Sequence, residues 1–532
     1  MTLAIHQLIL LRRLLCLAAA ACMMLAAAQS RAAPGAAHAP LGYDDARHLL
    51  NRVGFGATQA EILRFAPLSR GQAVNALLGD ARAAATTPPP AWAAGTEPLR
   101  YPRAGQKATD AEKKMFQQEQ VREGLELRGW WVGEMLATPS PLTERMTLFW
   151  HNHFVSSQQK VKLAELMYRQ NVTLRAHALG NFGVLLHAMA RDPAMVIYLD
   201  SVQNRKGTPN ENFAREVMEL FTLGEGHYGE QDVKEAARAF TGWSLDRSTG
   251  QFVFRPLLHD YGGKTVLAST GNFDGDEVLD ILLAQPQTAE FITRKLWREF
   301  VSSEPDPAEV KRVARVFRDS GYDIKVALHA LLVSEAFYAA DNRATLVKSP
   351  VDLVVGTLRQ FDMKPGQTLP FAVAAAGMGQ NLFSPPNVKG WPGQNAWINS
   401  STLLARKQFL DRLVRADDGV PPREEPAARM QPVAVDAMTP APKQAILPTG
   451  AQDPDKIREI VFRRNMERAL DRVAFDSASW FAQLGVTPQS NARSQAATRM
   501  LLATAPQIAP DPDIASAALV RALVLDVSYQ LK

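Results

Sequence analysis

Apolar residues recur along most of this chain at spacings of three and four, the period of a helix with one buried face. Between Tyr43 and Leu78 the series runs Ala46, Leu49, Leu50 and Val53. Gly54-Phe55-Gly56 interrupts it, and Thr58, with Glu61 three residues on, forms a capping box for the next helix. A long helix is predicted from about Asp110 to Leu136, with Trp130, Trp131 and Met135 in its last turns. Thr138-Pro139-Ser140-Pro141 stops it, and Thr143 opens another carrying Met146, Leu148, Phe149 and Trp150. Further amphipathic segments fall at 163–178, 181–191, 210–223, 230–241, 274–283, 287–301, 307–319, 324–337 and 400–415. Residues 456–484 and 513–531 read as helical again. Period-two alternation is confined to Gln251–Arg255 and Lys264–Leu267, enough for one small β-hairpin at most.

The predicted fold is therefore mainly α, a multi-helix, bundle-like globular domain over residues 41–415. A loop rich in Ala, Pro, Thr and Gly interrupts it at 82–108. A Pro/Ala-rich linker or arm follows at 417–455, then a helical segment at 456–532 expected to pack on the main domain. No repeat of 20–50 residues points to a solenoid.

Composition changes this picture little. With 46% hydrophobic and 21% charged residues the chain is ordinary globular material, neither disordered nor fibrous. A formal charge of +5 on 532 residues gives no footprint of a nucleic-acid binder. The N-terminus is more telling. Arg12 and Arg13 precede an apolar run, Leu14 to Ala28, with small residues and Pro34 behind it, the plan of an export signal over residues 1–32. The run is shorter than the roughly 20 apolar residues of a membrane span, so membrane contact is expected only in transit through that signal. The expected location is periplasmic or secreted. Both cysteines, Cys16 and Cys22, lie inside the signal, so cleavage leaves no disulfide, no thiolate ligand and no cysteine nucleophile. It also leaves 56 basic residues against 54 acidic, since Arg12, Arg13 and Arg31 depart with it.

Two segments carry candidate chemistry. In Asn210–Gly224, helical spacing of about 100° per residue puts Glu211, Asn212, Arg215, Glu216, Glu219 and Thr222 on one arc. Arg215 stands four residues from both Glu211 and Glu219, so its guanidinium can bridge two carboxylates. Either this is a solvated face laced with ion pairs, or Arg215 orients a carboxylate while Glu216 and Glu219 act as acid, base or metal ligand. In Phe149–Phe154, His151 and His153 point the same way on a strand or extended turn but diverge on a helix. They read either as metal ligands or a catalytic base, or as packed core imidazoles. His259-Asp260 is a weaker pair, and Asp192 and Asp200 sit where they can cap helices. There is no nucleophile elbow, P-loop, dinucleotide fingerprint or HExxH, and no CxxCH for covalent haem.

Taken in order, His48-Leu49-Leu50-Asn51-Arg52-Val53-Gly54-Phe55-Gly56, Phe149 to Phe154, Asn210 to Gly224, Ala236 to Trp243, His259-Asp260 and Ser384 to Trp391 carry a family resemblance. The chain resembles the DUF1800 family of large exported bacterial proteins of unknown function, over about residues 41–415 and more weakly to the C-terminus. The resemblance implies export, and implies a link with DUF1501-type proteins, whose genes often neighbour those of the family and which resemble alkaline phosphatases and sulfatases. Shared work on an extracellular polymer or ester follows as an expectation. The family brings no settled catalytic residues.

Two functions are compatible with these residues. One is a metal-assisted hydrolase, in which His151, His153, Arg215, Glu216 and Glu219 form the catalytic group. A divalent metal would be held by His151, His153 and Glu216, and substrate by Asn212, His259, Asp260, Trp243 and Trp391. The other is a non-catalytic export partner or polymer-binding scaffold working with a DUF1501-type protein, in which Trp243, Trp391 and Trp397 supply stacking surfaces.

Overall fold

The computed structural model describes residues 39–94, 109–246, 249–415, 454–473, 475–487, 492–511 and 513–532. The expected export signal at residues 1–32, most of the expected 417–455 arm and part of the 82–108 loop lie outside the described residues. What is described is mainly α, with only two small two-stranded antiparallel sheets.

Helix starts follow local chemistry. Thr58 with Glu61, Thr109 with Glu112, Asp274 with Glu277 and Ser349 with Asp352 form capping boxes. Proline occupies the first helical position of Pro141–His153, Pro193–Tyr198, Pro286–Phe300, Pro307–Asp319 and Pro350–Gln360, where its missing N–H would have no partner anyway. The helix predicted to open at Thr143 thus begins at Pro141. The predicted segment 324–337 is two helices, Ile324–Leu332 and Glu335–Tyr338, because Ser334 caps the second.

Two helices lie outside the predicted segments, although Ser349 and Pro350 mark the start of the first. Pro350–Gln360 is buried on nearly every residue and so has no polar face to set a period. Leu369–Gly377, with alanine at four of its nine positions, packs against it and against the long helix Asp110–Ala137. The C-terminal chain closes over the same core: Ser516–Leu525 packs on Ser400–Val414, Tyr529 shares a hydrogen bond with Thr357, and Leu531 pairs with Val347.

The expectation of a single hairpin is corrected. β1 (Trp243–Leu245) pairs with β2 (Phe252–Phe254), and β3 (Lys264–Val266) pairs with β4 (Ser269–Gly271). The two candidate strands belong to different hairpins because the chain between them is pinned away: His259 and Asp260 bond to Thr241, and Arg238 takes the Asp260 carboxylate. The turn joining β3 to β4 places Leu267 and Ala268 at positive φ, a conformation their side chains do not advertise.

Candidate functional site

The helix Pro141–His153 runs through the core and sends three consecutive side chains in three directions. His151 enters an aromatic box of Trp131, Phe383 and Trp391, with ring centroids 5.3–5.7 Å away. It is fully buried, and neither ring nitrogen has a hydrogen-bond partner among the described residues. Burial holds its imidazole down at about 3, so it is neutral. Asn152 reaches the Ser384–Trp391 loop, where its side-chain oxygen accepts the Trp391 N–H at 2.7 Å. Gly390 takes φ +82 there, and a Cβ on it would stand 2.2 Å from that same oxygen, so only glycine lets the loop approach.

His153 meets the second motif. Its Nε2 lies 3.2 Å from the Phe221 carbonyl, which can only accept, so Nε2 carries the hydrogen and Nδ1 is free to accept. The Lys295 ammonium donates to that Nδ1 at 2.9 Å and to the Leu220 carbonyl at 3.0 Å. Burial, and then Lys295, hold the His153 imidazole well below its usual range. Burial, with Arg298 nearby, brings Lys295 down to about 7. The Leu220 and Phe221 carbonyls are available because they lie in the last turn of their element, Val217–Thr222, a π-helix in which each bond spans one residue more than in an α-helix. Leu223 N–H accordingly reaches Met218, and Gly224, at φ +83, ends the element.

That π-turn rewrites the predicted polar arc. Thr222, expected beside the glutamates, is fully buried and donates to the Val217 carbonyl. Arg215 does not bridge Glu211 and Glu219. It pairs with Glu211 at 3.0 Å and with Glu230 of the next helix at 2.6 Å, because the extra residue turns Glu219 away. Arg215 is therefore occupied in a surface ion pair and not in orienting the candidate acid.

Glu216 and Glu219 do share a place. Glu219 accepts from the Tyr228 hydroxyl at 3.1 Å and faces the Lys389 ammonium at 3.6 Å. Glu216 is half-buried beside it, and its carboxyl is raised by burial and by the Glu219 charge, against the opposing pull of Lys389 and Arg215. Burial and Glu219 push the Tyr228 hydroxyl up to about 12. Asn212 lies exposed on the rim, donating to Asp200, which also receives Lys160 at 2.7 Å. Asp200 holds this corner at positive φ. Lys389, Tyr228 and Lys295 gave no sequence signal, since an amphipathic helix or a loop carries many such residues; burial distinguishes Lys295, and contact with Glu219 distinguishes Tyr228 and Lys389.

Several predicted site residues are elsewhere. The proposed ligand set His151, His153 and Glu216 is not assembled. The histidines diverge because they are two apart on a helix, and the polar partners of His153 are a lysine and a carbonyl. Among the described residues no group of three His, Cys, Asp or Glu side chains could hold a metal ion. Trp243, Trp391 and Trp397 are buried and present no stacking surface. Trp243 packs against Phe213, Phe240 and Phe252. His259 donates Nδ1–H to the Thr241 carbonyl at 2.9 Å, and Asp260 is held by Arg238, which brings its carboxyl down to about 2. That pair staples a loop and is not available to bind substrate.

Beneath the site the helix is fixed by buried charge. Glu144 accepts Arg175 and the Trp131 indole, while Arg145 pairs with Asp352, which also receives Lys532 at 2.8 Å. A cavity of about 80 Å³, lined by Arg145, Asn152, Glu299, Gln380 and Lys532 among others, opens there. It has room for a few waters. Asp192 is a different case: it caps Pro193–Tyr198 from full burial, accepts Gln170 at 2.7 Å, and is raised to about 7 by desolvation.

This is a large helical protein in which dispersed polar motifs converge on one helix and one π-turn. The family model for the protein of unknown function DUF1800 matches residues 48–527, and the chain belongs to that family. No curated protein and no solved structure matches it.

Proposed function

We propose that the protein is an exported hydrolase acting on an extracellular polymer or ester by paired-carboxylate acid–base catalysis. The observation that supports this is the pairing of Glu216, half-buried with its carboxyl raised, with Glu219, which is met by Tyr228 and Lys389. A raised carboxyl favours the proton it would donate, and the neighbouring Glu219 is placed to accept one, so Glu216 is assigned the acid role and Glu219 the base role. Glu219 removes a proton from water as its oxygen attacks the scissile carbon. The carbon–oxygen bond breaks, and Glu216 delivers its proton to the departing oxygen. Solvent then returns the proton from Glu219 to Glu216. Asn212 on the rim positions substrate, and Lys389 offsets negative charge as it develops. The signal at residues 1–32 would put this reaction in the periplasm or outside the cell, where a DUF1501-type protein is a fitting partner.

The test is turnover of nitrophenyl esters and nitrophenyl glycosides by protein recovered from the exported fraction. Loss of about 10²–10⁴-fold in Glu216→Gln and in Glu219→Gln, with an unchanged thermal transition, supports the reading. Turnover that survives both changes, or none against any probe, returns the protein to the role of a non-catalytic export partner or scaffold.

A further inference from the structure

Between β2 and β3 the chain makes a tip rich in exposed apolar residues. Leu257 is 96% exposed, Tyr261 54%, Phe254 43% and Leu258 38%, four large apolar side chains within eight residues. Folded monomers rarely leave such a cluster in water without a use for it. The tip is nonetheless well built. Arg255 N–H bonds to the Gly242 carbonyl at 2.8 Å, Lys206 N–H bonds to the Leu258 carbonyl at 2.8 Å, and Pro256 opens a 3-10 turn. Phe254 and Tyr261 both lean edge-on against the buried ring of His259, at 5.4 and 4.6 Å. The Thr241 and Asp260 contacts of His259-Asp260 therefore have a purpose: they brace the tip.

Its charge is one-sided. Arg205, Lys206 and Arg255 are exposed around it, and among the described residues none is paired with a carboxylate. The Arg205 side chain reaches Thr208 and that of Arg255 reaches the Leu245 carbonyl, neither of which neutralises it. Asp260, the acid within the tip, is taken by Arg238. Exposed leucines, an amphipathic tyrosine beside them and three exposed cations without a carboxylate partner among the described residues match the three layers of an anionic lipid surface: acyl boundary, interface and headgroup phosphate. No helix among the described residues is long and apolar enough to cross a membrane, so contact here would be peripheral.

We propose that the 254–261 tip docks the protein on an anionic lipid bilayer, with Leu257 and Leu258 inserted and Arg205, Lys206 and Arg255 on the headgroups. Lys206, which bonds the tip at Leu258, stands two residues from Asn204, whose side chain holds the Asn210 N–H and the Ala237 carbonyl. Docking is independent of whether Glu216 and Glu219 are catalytic.

The experiment is co-sedimentation of protein purified from the exported fraction with vesicles of phosphatidylcholine alone and with added phosphatidylglycerol. Binding to the anionic vesicles is expected, weakened by salt, lowered on the order of tenfold by Leu257→Asp and lowered again by Arg255→Ala with Lys206→Ala. Leu257→Ser is the second variant, and both should keep the wild-type thermal transition because the side chain touches little. The proposal is overturned by a wild type that stays in the supernatant, by equal binding to uncharged vesicles, or by a Leu257→Asp variant that binds undiminished. It is overturned equally if Leu257→Asp only converts a dimer to a monomer, which would make the tip a contact between copies.

Discussion

The imidazole of His153 and the backbone of Phe221 are joined by a 3.2 Å hydrogen bond, so a helix laid down early in the chain is tied to a π-turn almost seventy residues later. Phe221 stands in the last turn before Gly224, where helix carbonyls have no partner in their own ladder, so this one is free to accept. Lys295 takes the neighbouring Leu220 carbonyl, while on the outer side Glu219 meets Tyr228 and Lys389 instead of Arg215. The end of one short element thus presents both the interior contact and the exterior acid pair.

Asn152 and Gly390 should be far more sensitive than surface loop residues. Asn152→Ala strands the buried Trp391 N–H and should cost about 1–3 kcal/mol in urea unfolding. Gly390→Ala forces a side chain onto Asn152 at positive φ and should cost at least as much. Chemical denaturation with a conserved slope is the measurement, and a change under half a kcal/mol in both would contradict the clamp.

If Glu216 is the proton donor, activity falls as pH rises through its raised pKa. Lys389 pulls that carboxyl downward, so Lys389→Ala should move the alkaline limb of the rate profile to higher pH. A profile that stays put or moves the other way separates Lys389 from Glu216.

Asp192 predicts a pH-dependent stabilisation. Its folded value of about 7 lies above the ordinary 3.8, so the folded state favours the protonated carboxyl and stability is lost as pH climbs between those values. Asp192→Asn keeps an oxygen for the Met195 N–H and the Gln170 amide but cannot ionise. Relative to wild type the variant should gain roughly 2–3 kcal/mol on going from pH 5 to pH 8, by linkage. Thermal melts at the two pH values read this directly, and parallel curves would refute it.

Lys295 works in the opposite sense. Its amine is held at about 7 against an ordinary 10.5, so charge on it penalises the folded state and stability rises as pH climbs from 7 toward the ordinary lysine range. Lys295→Met should flatten part of that rise, with Lys348, also held at about 7 by burial, accounting for more of it. Melting temperatures across that window decide, and an unchanged slope in Lys295→Met would place the amine in water.

Helix content was open to reading because most of these helices have one wet face. The capping box at Thr58, the ends near Asp110 and Gly224 and the run 307–319 all follow from residues adjacent in the chain. Pro350–Gln360 escaped notice because burial on all sides erases the period that betrays a helix. The site was half legible. Glu216 and Glu219 stood out as acids on one face, and that pairing survives. The reach of Arg215, the exposure of Thr222 and the convergence of His151 with His153 did not.

What the sequence determined by itself is the class of fold, the family and the segments where polar residues concentrate, since each depends on local period, capping or motif order. What only tertiary structure decided is which of those polar groups meet. A single π-turn resets the phase of the residues it carries, and burial, joined at Lys295 by the nearby Arg298, turns Lys295 and Asp192 into groups poised near neutrality. Both effects arise from contacts between residues far apart in the chain, so no window of neighbouring residues contains them.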